Sequence, residues 1–242
     1  MRGNLRARRS ATALLLLAWS AGMPALYGQY YEGREESTGG SRALTAGLLR
    51  FEFTPRPTNT LPDSATFRGA ALMPMLAFRQ GIVDLYLGYT RFEERGNTHS
   101  AVLFGMQVTR DLPLGGQGSD GLTLPLMVAA DYTKVSSGAL QRDDFNLASL
   151  GLGVGLAYRS RGPDMEFWIR GVELFHVAFQ GLASGTGTSL ATVAEAGLLL
   201  RRVPIGDGLV LGYRFRMQTW SLSDENFNYR GLYHGPSVGI LF

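Results

Sequence analysis

The sequence predicts an all-β chain of about ten antiparallel strands in up-and-down order, with eight as the alternative, closed into a barrel with its apolar face outward. Three observations predict this. Side chains alternate in polarity with a period of two over run after run. Most of those runs reach ten residues or more, whereas strands of soluble sheets average about 5–6. Finally, 45% of the chain is apolar, yet beyond the N-terminal segment nothing approaches the roughly 18 consecutive apolar residues of a spanning helix.

Successive side chains of a strand point to opposite faces. In 149–159, Leu150, Leu152, Val154, Leu156 and Tyr158 share one face, and Gly151, Gly153, Gly155 and Arg159 the other. In 209–220, Leu209, Leu211, Tyr213, Phe215 and Met217 oppose Arg214, Arg216 and Gln218. A helix would mix these sets. The same pattern places strands near 43–54, 66–79, 82–92, 100–110, 121–133, 146–159, 164–180, 189–202, 208–221 and 229–242. Turn-forming residues separate several of them, as in Arg79-Gln80-Gly81 and Arg161-Gly162-Pro163-Asp164. Longer polar connections are expected at 55–65, 93–99, 134–145, 181–188 and 222–228, nearly alternating with short ones. The long stretch 111–120 breaks that alternation. Pro74 and Pro125 fall inside strands and imply bulges or local breaks.

The N-terminus reads as a secretory leader. Arg2, Arg6, Arg8 and Arg9 precede the apolar run 11–19 and the small residues Ser20, Ala21 and Gly22. The reading is a signal peptide over 1–22, with cleavage as late as 28 an alternative, a periplasmic segment over 23–41 and a barrel domain over 42–242. The whole chain carries 23 basic and 20 acidic residues. Without the leader's four arginines the balance is 19 against 20, so the basic excess does not point to nucleic acid. The chain has no cysteine, which excludes disulfides and thiolate chemistry, and its three histidines are scattered. No metal or cofactor is expected.

A membrane setting accounts for the outward apolar face, because only helices and closed sheets satisfy their backbone groups in lipid. Phe53, Phe78, Tyr89, Tyr132, Tyr158, Phe179 and Phe242 sit at strand ends on the apolar face, as interfacial girdles do. The last strand, Tyr229 to Phe242, ends on an aromatic with Val238 and Ile240 on the same face. It resembles the membrane-insertion signal of the bacterial outer-membrane β-barrel superfamily and departs from it at His234 and Pro236. The resemblance implies a transmembrane barrel in the outer membrane. Its partners would be outer-membrane lipid, lipopolysaccharide and the barrel-assembly machinery. A soluble periplasmic ligand-binding barrel is the inverted alternative, with apolar residues inside.

On the minority face the candidate lumen-lining residues are Arg50, Glu52, Asp84, Asp131, Glu166, Arg170, Glu195, Arg201, Arg214 and Arg216. They suit either the lining of a narrow channel or an ion-pair network that fills a structural or surface-interaction barrel. Arg214 and Arg216 are the best place for an anion contact. Glu173 falls on the lipid face, and a bulge near Gly171 would return it to the lumen. Arg202 faces outward at a strand end, within reach of headgroups. A rim enzyme acting on lipid or peptide is the other class. In size the chain resembles ten-stranded outer-membrane proteases, but Asp143-Asp144 has no Asp-x-His to go with it. His99 and Ser100 are adjacent strand residues and therefore point apart. No catalytic residue is assigned.

Overall fold

A computed structural model describes residues 42–62, 66–114, 120–137, 144–180, 184–204 and 206–242. The leader and the 23–41 segment lie outside the described residues. Ten strands follow one another: β1 (Arg42–Pro55), β2 (Gly69–Gln80), β3 (Val83–Glu94), β4 (Asn97–Pro113), β5 (Gly121–Ser137), β6 (Phe145–Arg161), β7 (Met165–Gln180), β8 (Ser184–Leu200), β9 (Gly208–Leu222) and β10 (Tyr229–Leu241). Each pairs antiparallel with its neighbours in sequence, and β10 pairs with β1 to close the barrel. Closure gives every strand a neighbour on both sides, the condition for a sheet to stand in hydrocarbon.

The outward face is aliphatic. Leu150, Leu152, Val154, Leu156 and Tyr158 of β6 are all exposed, Leu152 to 68%. Leu72 and Leu76, Leu85 and Leu87, Leu126 and Val128, and Ile169 and Phe175 continue the band round the wall. This excludes the inverted barrel with its leucines packed inside. The girdle residues Tyr89, Tyr158, Phe179 and Phe242 also face outward. Phe53 does not: it is fully buried inside.

The connections are tighter than the sequence suggests. Between β3 and β4 only Arg95 and Gly96 intervene, with φ of 52° and 77°. Two left-handed residues in succession make the hairpin turn whose twist matches its strands. β8 begins at Ser184, so most of the glycine-rich 182–188 stretch is strand rather than loop. β4 runs on through Asp111 to Pro113, paired with Thr123–Pro125, and takes up part of the long 111–120 connection. Polarity alone does not separate a loop from a strand that projects beyond the membrane, since such a strand is polar on both faces.

The prolines break the ladders without bulges. At Pro125 the pairing with β6 skips from Thr123↔Ala157 to Leu126↔Val154, with the register kept. At Pro236 it skips from Gly47↔Ser237 to Arg50↔His234. Pro74 has a larger effect. The β2–β3 ladder ends at Met75↔Gly88, although the strands run on to Gly69 and Glu94. Proline supplies no N–H to the ladder. Past it, side chains stand in: the Thr90 hydroxyl donates to the Leu72 carbonyl (2.7 Å) and the Arg68 N–H to the Glu94 carboxylate (3.0 Å).

Candidate functional site

The inner face of the wall converges on a filled lumen, and its contents change with height. At the end of the barrel where β1 begins and β10 ends, Glu166 of β7 faces three guanidinium groups: Arg201 at 2.9 Å, Arg159 at 3.3 Å and Arg161 at 3.5 Å. Above it Asp84 of β3 and Glu195 of β8 share Arg79 and Arg214, and Glu195 also holds Arg170. Arg79 lies 2.9 Å from Asp84 and 3.2 Å from Glu195, Arg170 lies 2.6 Å from Glu195, and Arg214 lies 2.9 Å from Asp84. Branched sharing of this kind gives each of these carboxylates at least one guanidinium partner.

The next layer is centred on Asp131 of β5 and Arg216 of β9, whose side chains are 1% and 4% exposed. The guanidinium grips both carboxylate oxygens. It also donates to the Tyr86 hydroxyl (2.6 Å) and the Gln218 side-chain oxygen (3.0 Å). Tyr86 in turn donates to Asp131. His176 Nε2 lies 3.1 Å from the same carboxylate, and the Gln218 amide reaches Ser189 at 3.0 Å. Gly105 makes room for this cluster, since a Cβ there would overlap the Tyr86 ring and the Asp131 carboxylate. Such an arrangement fixes charge in place. It leaves a cavity of about 30 Å³, lined by Leu49, Met75, Tyr86, Gln107, Arg214 and Arg216 among others, which has room for one or two waters.

Towards the loop end the lumen is aromatic. Phe53 stacks on Tyr229 at 4.7 Å and meets Phe145 edge-on at 4.9 Å, and Phe145 meets Trp220 at 5.2 Å. Phe51 and Phe92 extend the cluster, and His99 is buried against Phe92 with Nε2 3.7 Å from Glu94.

Of the candidate residues, Asp84, Asp131, Glu166, Glu195 and Arg216 are buried on the inner face, and Arg170 and Arg214 are half-buried there. Arg201 is exposed just past the end of β8, bound to Glu166. Arg50 and Glu52 are a correction. They face outward and pair with each other at 2.6 Å, Arg50 with 62% of its side chain exposed. The cause is the aromatic plug: Phe51 and Phe53 occupy the lumen side of β1, so polar-inward phasing inverts there. Glu173 is a second correction, because no register shift occurs at Gly171 and Glu173 stays exposed on the lipid face. The register shift between β7 and β8 falls at Phe179/Gln180.

Sequence reasoning missed Tyr86, His176, Tyr233 and Arg79 as lumen groups. Tyr86 shares its parity with Asp84 and Thr90, and Arg79 shares its own with Met73, Met75 and Ala77, so strand phase was the available signal. His99 is inward, while Ser100 is bonded to Ser136 at 2.7 Å. Asp143 lies outside the described residues, and Asp144 lies 3.3 Å from Lys134. Asp224 caps a short 3-10 turn by accepting from the Asn226 N–H. Arg202 is exposed and bound to Asp164 at 2.7 Å.

No protein-family model and no curated protein matches the chain. Among solved structures it is similar in fold to the outer membrane protease OmpT from Escherichia coli, at 10% identity over 87% of this chain and 99% of that one, with a TM-score of 0.42. It is similar to Neisserial surface protein A at 11% identity, over 84% and 99% of the two chains, with a TM-score of 0.33. The outer membrane protein OprG from Pseudomonas aeruginosa matches at 13% identity over 84% and 93%, with a TM-score of 0.36. The likeness is one of fold alone. The chain's own register, its aliphatic exterior and its ion-paired interior define the class: a membrane-spanning β-barrel of the outer-membrane type.

Proposed function

We propose that the chain resides in the bacterial outer membrane as a filled, non-conducting barrel with a structural or surface-interaction role. The observation that carries this reading is the Asp131–Arg216 layer, a buried and doubly hydrogen-bonded charge pair that crosses the lumen beneath an aromatic plug. A conducting path would have to part a charge pair and several stacked rings together. The surroundings in this reading are outer-membrane lipid and lipopolysaccharide. Export depends on the 1–22 leader. The outward residues Val238, Ile240 and Phe242 of the last strand present the insertion signal to the barrel-assembly machinery.

The test is single-channel recording of the refolded mature chain in a planar bilayer. The filled barrel gives no conductance steps at any voltage the bilayer withstands. Regular steps with ion selectivity would establish a pore and overturn the proposal.

A further inference from the structure

Glu173 is a carboxyl group in the middle of a hydrocarbon-facing surface. On its own strand Phe167 and Ile169 lie to one side and Phe175 and Val177 to the other, all exposed. Val154 of β6 is directly across from it, flanked by Leu152 and Leu156. No ion pair or hydrogen bond reaches Glu173 among the described residues. Its side chain is too short to reach the interface as an arginine could. Ionisable groups so placed face protein or a water-filled cavity rather than lipid.

The wall beside Glu173 differs from the rest of the belt. On β8 the outward residues are Thr192 opposite Glu173, Ala194 opposite Gly171 and Ala196 opposite Ile169. Beyond them stand Met217, Phe215 and Tyr213 of β9. A side chain at Gly171 would meet nothing within 4 Å. The result is a shallow trough of small residues with larger ones on both sides. In lipid, small residues at a contact let two backbones approach closely. The trough also carries a hydroxyl donor, Thr192, beside the carboxyl acceptor, and Thr192 has no hydrogen-bond partner among the described residues.

We propose that this face of β7 and β8 is an interface between two copies of the chain. A surface with its donor and acceptor side by side is complementary to itself about a twofold axis. The Thr192 hydroxyl of each copy donates to the Glu173 carboxyl of the other, and both carboxyls leave the hydrocarbon. A lipid chain offers no donor, and a different protein would have to bring one. A second copy brings both halves, the Thr192 donor and the Glu173 acceptor. The interface lies on the outer wall and is independent of whether the lumen conducts.

The chain has no cysteine, so single cysteines report contacts cleanly. Ala194→Cys places a thiol in the trough, and Leu87→Cys places one on β3, on the far side of the barrel. Each full-length mature variant is refolded into phosphatidylcholine vesicles at high dilution and oxidised, with folding checked by electrophoretic mobility before and after boiling. Ala194→Cys should form a disulfide-linked pair and Leu87→Cys should not. Adding Glu173→Leu should lower the association constant about tenfold, the effect of two hydrogen bonds of the size measured inside membrane proteins, while Glu173→Gln should retain most of it. The proposal is overturned if Ala194→Cys stays monomeric or pairs no more than Leu87→Cys. It is equally overturned if Glu173→Leu pairs undiminished, or if the thiol is captured only by a different protein in native membranes.

Discussion

Replacing Arg216 by methionine keeps an unbranched apolar stem and removes the guanidinium with its charge. Asp131 would then sit in the lumen with the Tyr86 hydroxyl and His176 as its remaining partners. The guanidinium donates twice to Asp131, once to Tyr86 and once to Gln218, so four hydrogen bonds are lost together. Breaking a buried pair by deleting one partner costs about 3–5 kcal/mol, mostly because the other charge is left behind. Urea titration in detergent micelles, followed by tryptophan emission, should show the midpoint fall by at least about 1 M for Arg216→Met. The double variant Asp131→Leu with Arg216→Met removes both charges. It should regain at least half of that loss, because a matched pair in low dielectric is close to neutral against apolar replacements. A loss below about 1 kcal/mol for the single variant would refute the reasoning, since a surface pair is worth that much. Strict additivity in the double variant would refute it as well.

Three further outcomes follow from the same wall. Gly105→Ala should destabilise by about 1–3 kcal/mol in the same titration, because the new methyl group displaces Tyr86 from Asp131. Gly96→Ala should cost about 1 kcal/mol, since the φ of 77° there is disfavoured once a Cβ is present. Amides of Tyr89–Glu94 that point towards β2 should exchange hydrogen well before the ladder amides of Val83–Gly88, as mass spectrometry or NMR would show, because the β2–β3 ladder ends at Met75↔Gly88.

Much of the barrel was legible because lipid imposes a simple rule on each strand. Strand phase alone put Leu150 to Tyr158 outward and Asp84, Asp131 and Arg216 inward, since hydrocarbon outside and polar packing inside leave little room for exceptions. The rule failed where its physical premise failed. Near the loop end the lumen is filled by rings, so Phe51 and Phe53 of β1 point in and Arg50 and Glu52 point out beside the interface. Glu173 resisted because a bulge was the cheapest local way to satisfy it, and the backbone does not contain one. The partners within the lumen were not legible at all. Arg79 and Glu195 are far apart in sequence and meet across the barrel, a contact set by register and shear that no local pattern records.

Fluorescence quenching of Trp220 tests most directly which way the wall faces and whether the lumen is full. In a mature chain carrying Trp168→Phe, Trp220 is the remaining tryptophan, buried in the aromatic plug. In vesicles its emission should resist both brominated acyl chains and aqueous iodide, whereas a tryptophan introduced at Leu152 should be quenched by the brominated chains. Strong iodide quenching of Trp220 would mean a water-filled interior. Iodide reaching the residue at 152 while brominated lipid does not would mean that this face never meets the membrane.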